Sequence, residues 1–586
     1  MMDFLFSFDR SREPELAEAL ARFGPRNRSF QRSYSGGWGV LVTAGMAYPG
    51  FETIETDRHI IVVLGGPLPR NDVSIAAGNE SDDGTRWILN SWKTHGRVLW
   101  SEELVGSFLV FCVDKHDACA DVVTDINAFI PAYISDGMDR ILGSHSDAVA
   151  LASGCAYDID PVSVADFLTF STVTYPYTMY KAVKYMPPAS VTSVSAAGEK
   201  RSVVYWRPVE RGGFGNISDA ADELRAIITA NIKRICAGHK RIGLLLSGGE
   251  DSRIVAAMIP EQTCAGAVTI TDSYNREARI AQAVCRSSGV DWDLLTRTPA
   301  HYINHAEESI RLSESHNFFT HAHINGFADH LPSGCRIMGA LGADAFCKGV
   351  RSKGKPFPFL KIYTRSNDWK FGMVDSGISC MDSVLLRREY FNDDLKAMRP
   401  GSWAEWHNLY PACMTAGLSH GIVNRRLFPA YEPFLDGMVV NFSASVPQGW
   451  KLNRRLFHRA MRPVLKDTWR IPHGEGWFPY YGNWLNLPVN ISNRIIKKIR
   501  KKASWKARRN EGSWPIWDNV VADPAYERIR PDEASLESRM LQMGENEALS
   551  GILKACEGNR SSNFKLRSLQ IELWIMSLDC QKTVKS

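Results

Sequence analysis

Two acids in this chain stand where chemistry on a phosphate ester could use them. Asp251 follows Ser247-Gly248-Gly249, and Asp344 closes the run Gly339-Ala340-Leu341-Gly342-Ala343. Glycine lets a backbone turn sharply and come close to a ligand. A turn that opens a helix presents free N–H groups, which favour an anion. Phosphate is the anion expected here, and a carboxylate in each turn suits Mg2+, which takes one or two carboxylates together with phosphate oxygens. The first turn has no Gly-Lys-Ser/Thr, so it is not the common P-loop.

Such turns need a strand before them and a helix after. Residues 242–246 form a short apolar run fit for a strand buried on both faces. After Asp251, the apolar residues Ile254, Val255 and Met258 recur at helical spacing. The pattern repeats through "AGAVTI", "NREARIAQAVCRSSG", "DWDLLTRT", "HAEESIRLSES" and "CRIMGALGAD", giving alternating strand and helix. Alternation of this kind predicts βαβ units and a parallel sheet, whose ligands bind at the carboxyl ends of its strands. Both Gly-rich turns fall there. Residues 1–210 read differently. "WGVLVTAG", "HIIVVLGG", "SFLVFCVD" and "SVTSVSAAGEKRSVVYW" are β-rich runs separated by turn residues. The Gly/Pro/Arg-rich "RPVERGGFGNIS" (207–218) is the expected boundary, so a second domain is placed at 219–586, mostly helical beyond 350.

At 586 residues the chain is too long for one typical core. Its net charge of +5 is small for that length and names no partner. The opening "MMDFLFSFDRSREPELAEAL" lacks a positive n-region, and no stretch approaches the roughly 18–20 apolar residues that span a bilayer. Twelve scattered cysteines without a CxxC pair fit reduced thiols, so a cytoplasmic protein is expected. Cys112 and Cys347, in apolar surroundings, read as small core residues. The basic stretch 494–509, "RIIKKIRKKASWKARR", is either a solvated helix face or a surface for an acidic partner.

The segment Ser-Gly-Gly-x-Asp-Ser resembles the pyrophosphate loop of the N-type ATP pyrophosphatases, and over most of its length the chain is similar to the asparagine synthetase family. The resemblance implies an N-terminal glutaminase-like αββα sandwich and a C-terminal α/β ATP pyrophosphatase domain with a helical extension. It also implies ATP and Mg2+ as cofactors. Carried over, Asp251 and Asp344 would hold the magnesium and pyrophosphate, and Ser247, Gly248, Gly249 and Ser252 would cradle the pyrophosphate. Leu245, Leu246 and the segment Val268 to Thr271, Thr269 among them, would flank the nucleotide, with Gly339 near the α-phosphate. A carboxylate would attack the α-phosphorus, giving an acyl-adenylate and pyrophosphate, and an amine would then form the amide.

The chain departs from this family in four places. It begins Met1-Met2-Asp3, without the N-terminal cysteine that hydrolyses glutamine, so a degenerate glutaminase domain is expected and the amine should be free ammonia or part of the substrate. Leu341 stands where asparagine synthetases place a glutamate near the amine, so proton transfer must come from elsewhere. Tyr431 takes the arginine position of "PAYEPFLD", beside Glu432, which is either the missing base or a surface acid. The lysine of the family's Arg-x-Lys is absent from Arg470-Ile471-Pro472-His473, leaving His473 or Lys466 as substitutes. Arg253 and the Arg/Trp-rich C-terminal half lean to an acidic or bulky substrate. These departures resemble branches with new substrates: lasso-peptide and β-lactam synthetases, or amidotransferases acting on sugar or metabolite carboxylates. A non-catalytic scaffold, or nucleic-acid binding through 494–509, are the other classes. A precursor peptide or partner protein is a possible companion; a membrane is not expected.

Overall fold

The apolar runs ahead of Arg207 form two six-stranded antiparallel sheets. The structure, a computed structural model, describes the chain apart from residues 1, 24–29, 72–82, 138, 238, 240, 333, 357–361, 371–372, 374–377, 475, 483, 503–509, 543–546, 555–559 and 579–586. Strand Asp3–Ser7 is buried along its whole length, inside the first sheet between Leu142–Gly143 and Gly39–Ala44. The second sheet runs through Ser190–Ser195, Cys119–Thr124, Leu109–Asp114 and His59–Leu64. Phe4 and Phe111 stack across the gap at 4.5 Å between ring centroids, so the sheets face each other. Helices Glu13–Phe23 and Ser146–Ala152 cover the first sheet, and Gly84–Leu89 packs on the second. This is an αββα sandwich. Cys112 lies in its core, where burial pushes the thiol up to about 12.

The last strand of the sandwich, Lys200–Val204, and the helix Ile217–Cys236 bracket the Gly/Pro/Arg-rich connector. Asn216 starts that helix by accepting hydrogen bonds from the Ser218 and Asp219 N–H groups. Its stripe of Ala220, Leu224, Ile228 and Ile232 is buried. A five-stranded parallel sheet follows, in the spatial order Trp292–Thr296, Cys264–Thr271, Ile242–Leu245, Arg336–Met338, Ala430–Tyr431. The winding reverses between Ile242–Leu245 and Arg336–Met338, which are adjacent. A reversal leaves a crevice at the carboxyl ends of the two strands, and both Gly-rich turns leave from there.

The two parts share a buried polar interface. Arg426 Nε donates to Asp3 Oδ2 at 2.9 Å and its Nη2 to Glu314 Oε1 at 3.1 Å, all three side chains being at most 4 % exposed. Asp436 accepts from Arg70 and from the Gly106 N–H. Helix Ser562–Ser577 returns to the sandwich: Trp574 donates to Tyr180 Oη, while Gln570 on the same helix bonds to Ser315 and Asn317. Helix Leu487–Lys502 carries the first part of the basic stretch and exposes Ile495 and Ile496; residues 503–509 lie outside the described residues. Among the described residues no helix is long and apolar enough to cross a membrane.

Candidate active site

The first Gly-rich turn is closed by its own side chains. Ser252 Oγ accepts from the Ser247 N–H at 3.0 Å, and Ser247 Oγ accepts from the Gly249 N–H at 3.1 Å. The Gly248 N–H donates to Glu277 Oε1 at 2.8 Å, so a carboxylate already sits against the turn. Helix Glu250–Met258 then begins at Gly249, which has no side chain to cap it. Leu245 is half-buried and Leu246 buried at the strand end. Thr269, on the neighbouring strand, is also buried. Its hydroxyl donates to Leu246 O and accepts from Trp292 Nε1, both at 2.8 Å, so the side chain ties strands together.

The second turn needs glycine twice. Gly342 has φ +94°, and a Cβ there would meet Leu435 Cδ2 at 2.4 Å. A Cβ on Gly339 would lie 2.3 Å from Glu432 Oε1, so the carboxylate occupies the space a side chain would take. Strand Ala430–Tyr431 runs parallel to Arg336–Met338 and delivers Glu432 to this spot. Glu432 is 7 % exposed and accepts from the Leu341 N–H at 2.7 Å. It is therefore a buried acid at the strand end, not a surface one. Burial pushes its carboxyl up to about 7, against the pull of the Leu341 N–H and Arg425. Leu341 is half-buried beside it.

Between the turns lies a cluster of charges. Residues Ala343–Cys347 form one wide π-helical turn, and Lys348 ends it with a side chain only 2 % exposed. Its ammonium contacts Asp251 Oδ1 directly and lies 3.0 Å from Asp344 Oδ1 and 3.4 Å from Glu250 Oε2. Glu250, fully buried, also meets Arg454 at 3.2 Å and His458 at 2.8 Å. Burial alone would raise the Glu250 carboxyl, but Lys348, His458 and Arg454 hold it well below the usual range. Burial pushes the Asp251 carboxyl up, with Asp344 adding to it and Lys348 opposing. Lys348 holds Asp344 low. The lysine itself stays charged, because three carboxylates outweigh its burial.

The sequence reading missed Lys348, although Asp344 and Lys348 are four residues apart, a spacing that puts two side chains on one face of a helical turn. It also missed Glu250 and Glu277. Arg253 needs correction: its guanidinium is fully buried and donates to the carbonyls of Thr468, Ile471 and Pro472, so it holds a backbone segment and faces no substrate. That segment brings His473 to the first turn, where the Gly474 N–H donates to Gly248 O at 3.0 Å and the His473 ring stacks on Trp477. Lys466 is exposed. Tyr431 packs against Arg336 and Tyr48 at the domain interface. The expected magnesium does not fit between Asp251 and Asp344, because a lysine ammonium fills the space a bridging ion would need. Among the described residues no group of three or more His, Cys, Asp or Glu is arranged to hold a metal.

Residues 75–206 match the glutamine amidotransferase domain family, and residues 223–328 match the asparagine synthase family. The chain is an asparagine synthetase-family protein with an amidotransferase-like N-terminal domain. Its domain pair marks it as an ATP-dependent amide-forming enzyme of the asparagine synthase type. The asparagine synthase match includes the first Gly-rich turn and stops before the second, so Asp344, Lys348 and Glu432 lie outside it. No curated protein matches this synthetase-family chain. Among solved structures it is similar to the glutamine phosphoribosylpyrophosphate amidotransferase of B. subtilis complexed with ADP and GMP. The identity is 10 %, over 60 % of this chain and 77 % of that one, with a TM-score of 0.24. A structure described as the allosteric regulatory enzyme of purine biosynthesis is similar at 10 % identity, over 50 % of this chain and 80 % of that one, also with a TM-score of 0.24.

Proposed function

We propose that the chain adenylates a substrate carboxylate with ATP, releases pyrophosphate, and passes the acyl group to an amine. The supporting observation is the pair of Gly-rich turns at the carboxyl ends of adjacent strands, where the sheet reverses, with Asp251 and Asp344 drawn together between them. In this reading Ser247, Gly248, Gly249 and Ser252 receive the pyrophosphate, and Glu277 gives up the Gly248 N–H to it. The strand ends at Leu245, Leu246 and Thr269 flank the nucleotide, and Gly339, with the Glu432 carboxylate against it, lies near the α-phosphate. The substrate carboxylate oxygen bonds to the α-phosphorus as the bond to the β-phosphate oxygen breaks. The amine then adds to the acyl carbon, AMP leaves, and a proton passes to Glu432, whose carboxyl is poised near neutrality for that transfer. His473 lies at the edge of the first turn, where its ring can contact a phosphate.

The amine is free ammonia or belongs to the substrate. Met2 and Asp3 are buried, Asp3 in the ion pair with Arg426, so that strand end is taken up by the interface. The aliphatic Leu341 beside Glu432 suits the carbon chain of a substrate amine better than ammonium. A peptide cyclised on its own amine, or a metabolite carboxylate, meets that description.

The test is carboxylate-dependent exchange of labelled pyrophosphate into ATP across a panel of peptide and metabolite acids. Exchange with AMP as product is expected, and Asp251→Asn should abolish it while the circular dichroism spectrum is kept. ADP and phosphate as the only products would overturn the reading.

A further inference from the structure

We infer that Lys348 is the resident cation of the phosphate site: its ammonium joins the two Gly-rich turns and meets the departing pyrophosphate where a bridging metal ion would otherwise stand. The inference rests on the adenylation reading above and adds the group that neutralises its leaving group.

Three observations carry it. First, the lysine is held from all sides. Its Nζ touches Asp251, lies 3.0 Å from Asp344 and 3.4 Å from Glu250, and sits 4.8 Å from the centre of the Phe457 ring. A lysine this buried is costly unless paired, and pairing with two turns at once fixes their separation. Second, the two acids come from different strand ends, and the Lys348 ammonium pairs with both of them. Third, Asp344 keeps a side chain 61 % exposed while the lysine does not, so the cluster opens toward the crevice on the Asp344 side. A phosphate arriving from that side meets an ammonium with three N–H donors, which can turn from a carboxylate to a phosphate oxygen.

A divalent ion and an ammonium cannot fill one position. With Lys348 in place, its ammonium already pairs with both Asp251 and Asp344, and Mg2+ would have to displace it to enter. With Lys348 removed, two carboxylates are left facing each other across a gap, which is the oxygen-rich site Mg2+ prefers.

The experiment has two arms, each on the full chain. Isothermal titration measures ATP binding in EDTA and in millimolar Mg2+, for the wild type and Lys348→Met. The wild type should bind ATP in EDTA about as well as in Mg2+. Lys348→Met should lose about tenfold or more in EDTA, as expected when a charge-assisted contact is removed, and recover with Mg2+. The second arm is the melting temperature without nucleotide: Mg2+ should leave the wild type unmoved and raise Lys348→Met. Wild-type binding that needs Mg2+, or a wild-type melting temperature raised by Mg2+ as much as that of the variant, would overturn the proposal. The wild-type measurements hold even if the variant folds poorly, and Lys348→Gln serves as a second, hydrogen-bonding replacement. Should the wild type bind no ATP under either condition, the adenylation reading falls and the melting arm alone decides the place of Lys348.

Discussion

Glu432 sits where burial disfavours its charge, and that has a measurable consequence with pH. Its carboxyl lies near 7 in the folded protein, against an ordinary value of 4.5, so the folded state holds the proton more tightly than the unfolded state does. The stability it contributes therefore falls as pH rises from 4.5 to 7 and is fully lost above 7. Glu432→Gln keeps an acceptor for the Leu341 N–H and removes the titration. The variant should match the wild type in urea unfolding near pH 4.5 and exceed it by about 3 kcal/mol at pH 8. Curves that stay parallel across that range would show that the carboxyl titrates normally. The sequence pointed to Glu432 through its neighbour Tyr431, but only the pairing of two distant strands reveals that the acid is buried. Arg253 shows the reverse: an arginine directly after Asp-Ser invites a substrate role, whereas its three carbonyl partners lie more than two hundred residues onward in the chain. Lys348 was visible only as a spacing, because its meaning depends on Asp251 arriving from another strand.

The turn from Gly339 to Gly342 is the element that brings Glu432, Asp344 and Lys348 within one crevice. Gly339 is glycine because Glu432 fills the volume of a Cβ. Gly339→Ala should turn the carboxylate away, break its bond to the Leu341 N–H, and slow amide formation by about a hundredfold, the lower range for loss of a proton acceptor. Pyrophosphate exchange should fall less, since that half-reaction does not use Glu432. Equal losses in both assays would place Gly339 at the nucleotide alone. The strands and helices around this turn were legible from apolar runs and helical spacing, because a parallel sheet buried on both faces has little choice of residue. Residues 350 onward were legible only as helical. Their short helices are set by packing on the sheet and sandwich, as with Ala412–Met414 and Gln448–Lys451, and local sequence carries little of that.

The two halves of the molecule are held by ions as well as by apolar contact. Arg426 answers both Asp3, from the start of the sandwich's buried strand, and Glu314, from the synthetase part. Arg426→Met would leave two buried carboxylates without a cation, which costs about 3–5 kcal/mol. Urea unfolding should show that loss, and a loss below about 1 kcal/mol would mean that water reaches the interface. The helix Ser562–Ser577 raises a matter of timing. It supplies Gln570 to Ser315, Asn317 and the Phe319 N–H, and Trp574 to Tyr180, yet it is synthesised after every one of those partners. A ribosome releases the sandwich and the parallel sheet before this helix exists, so during translation both must wait with polar groups and an apolar groove uncovered. Nascent chains stalled ahead of residue 562 should be cut by protease at the groove beside Tyr180 and protected once the helix emerges. Equal cutting before and after would show that the sandwich closes without it. Helix Ser562–Ser577 thus docks late in synthesis, onto partners that left the ribosome long before it.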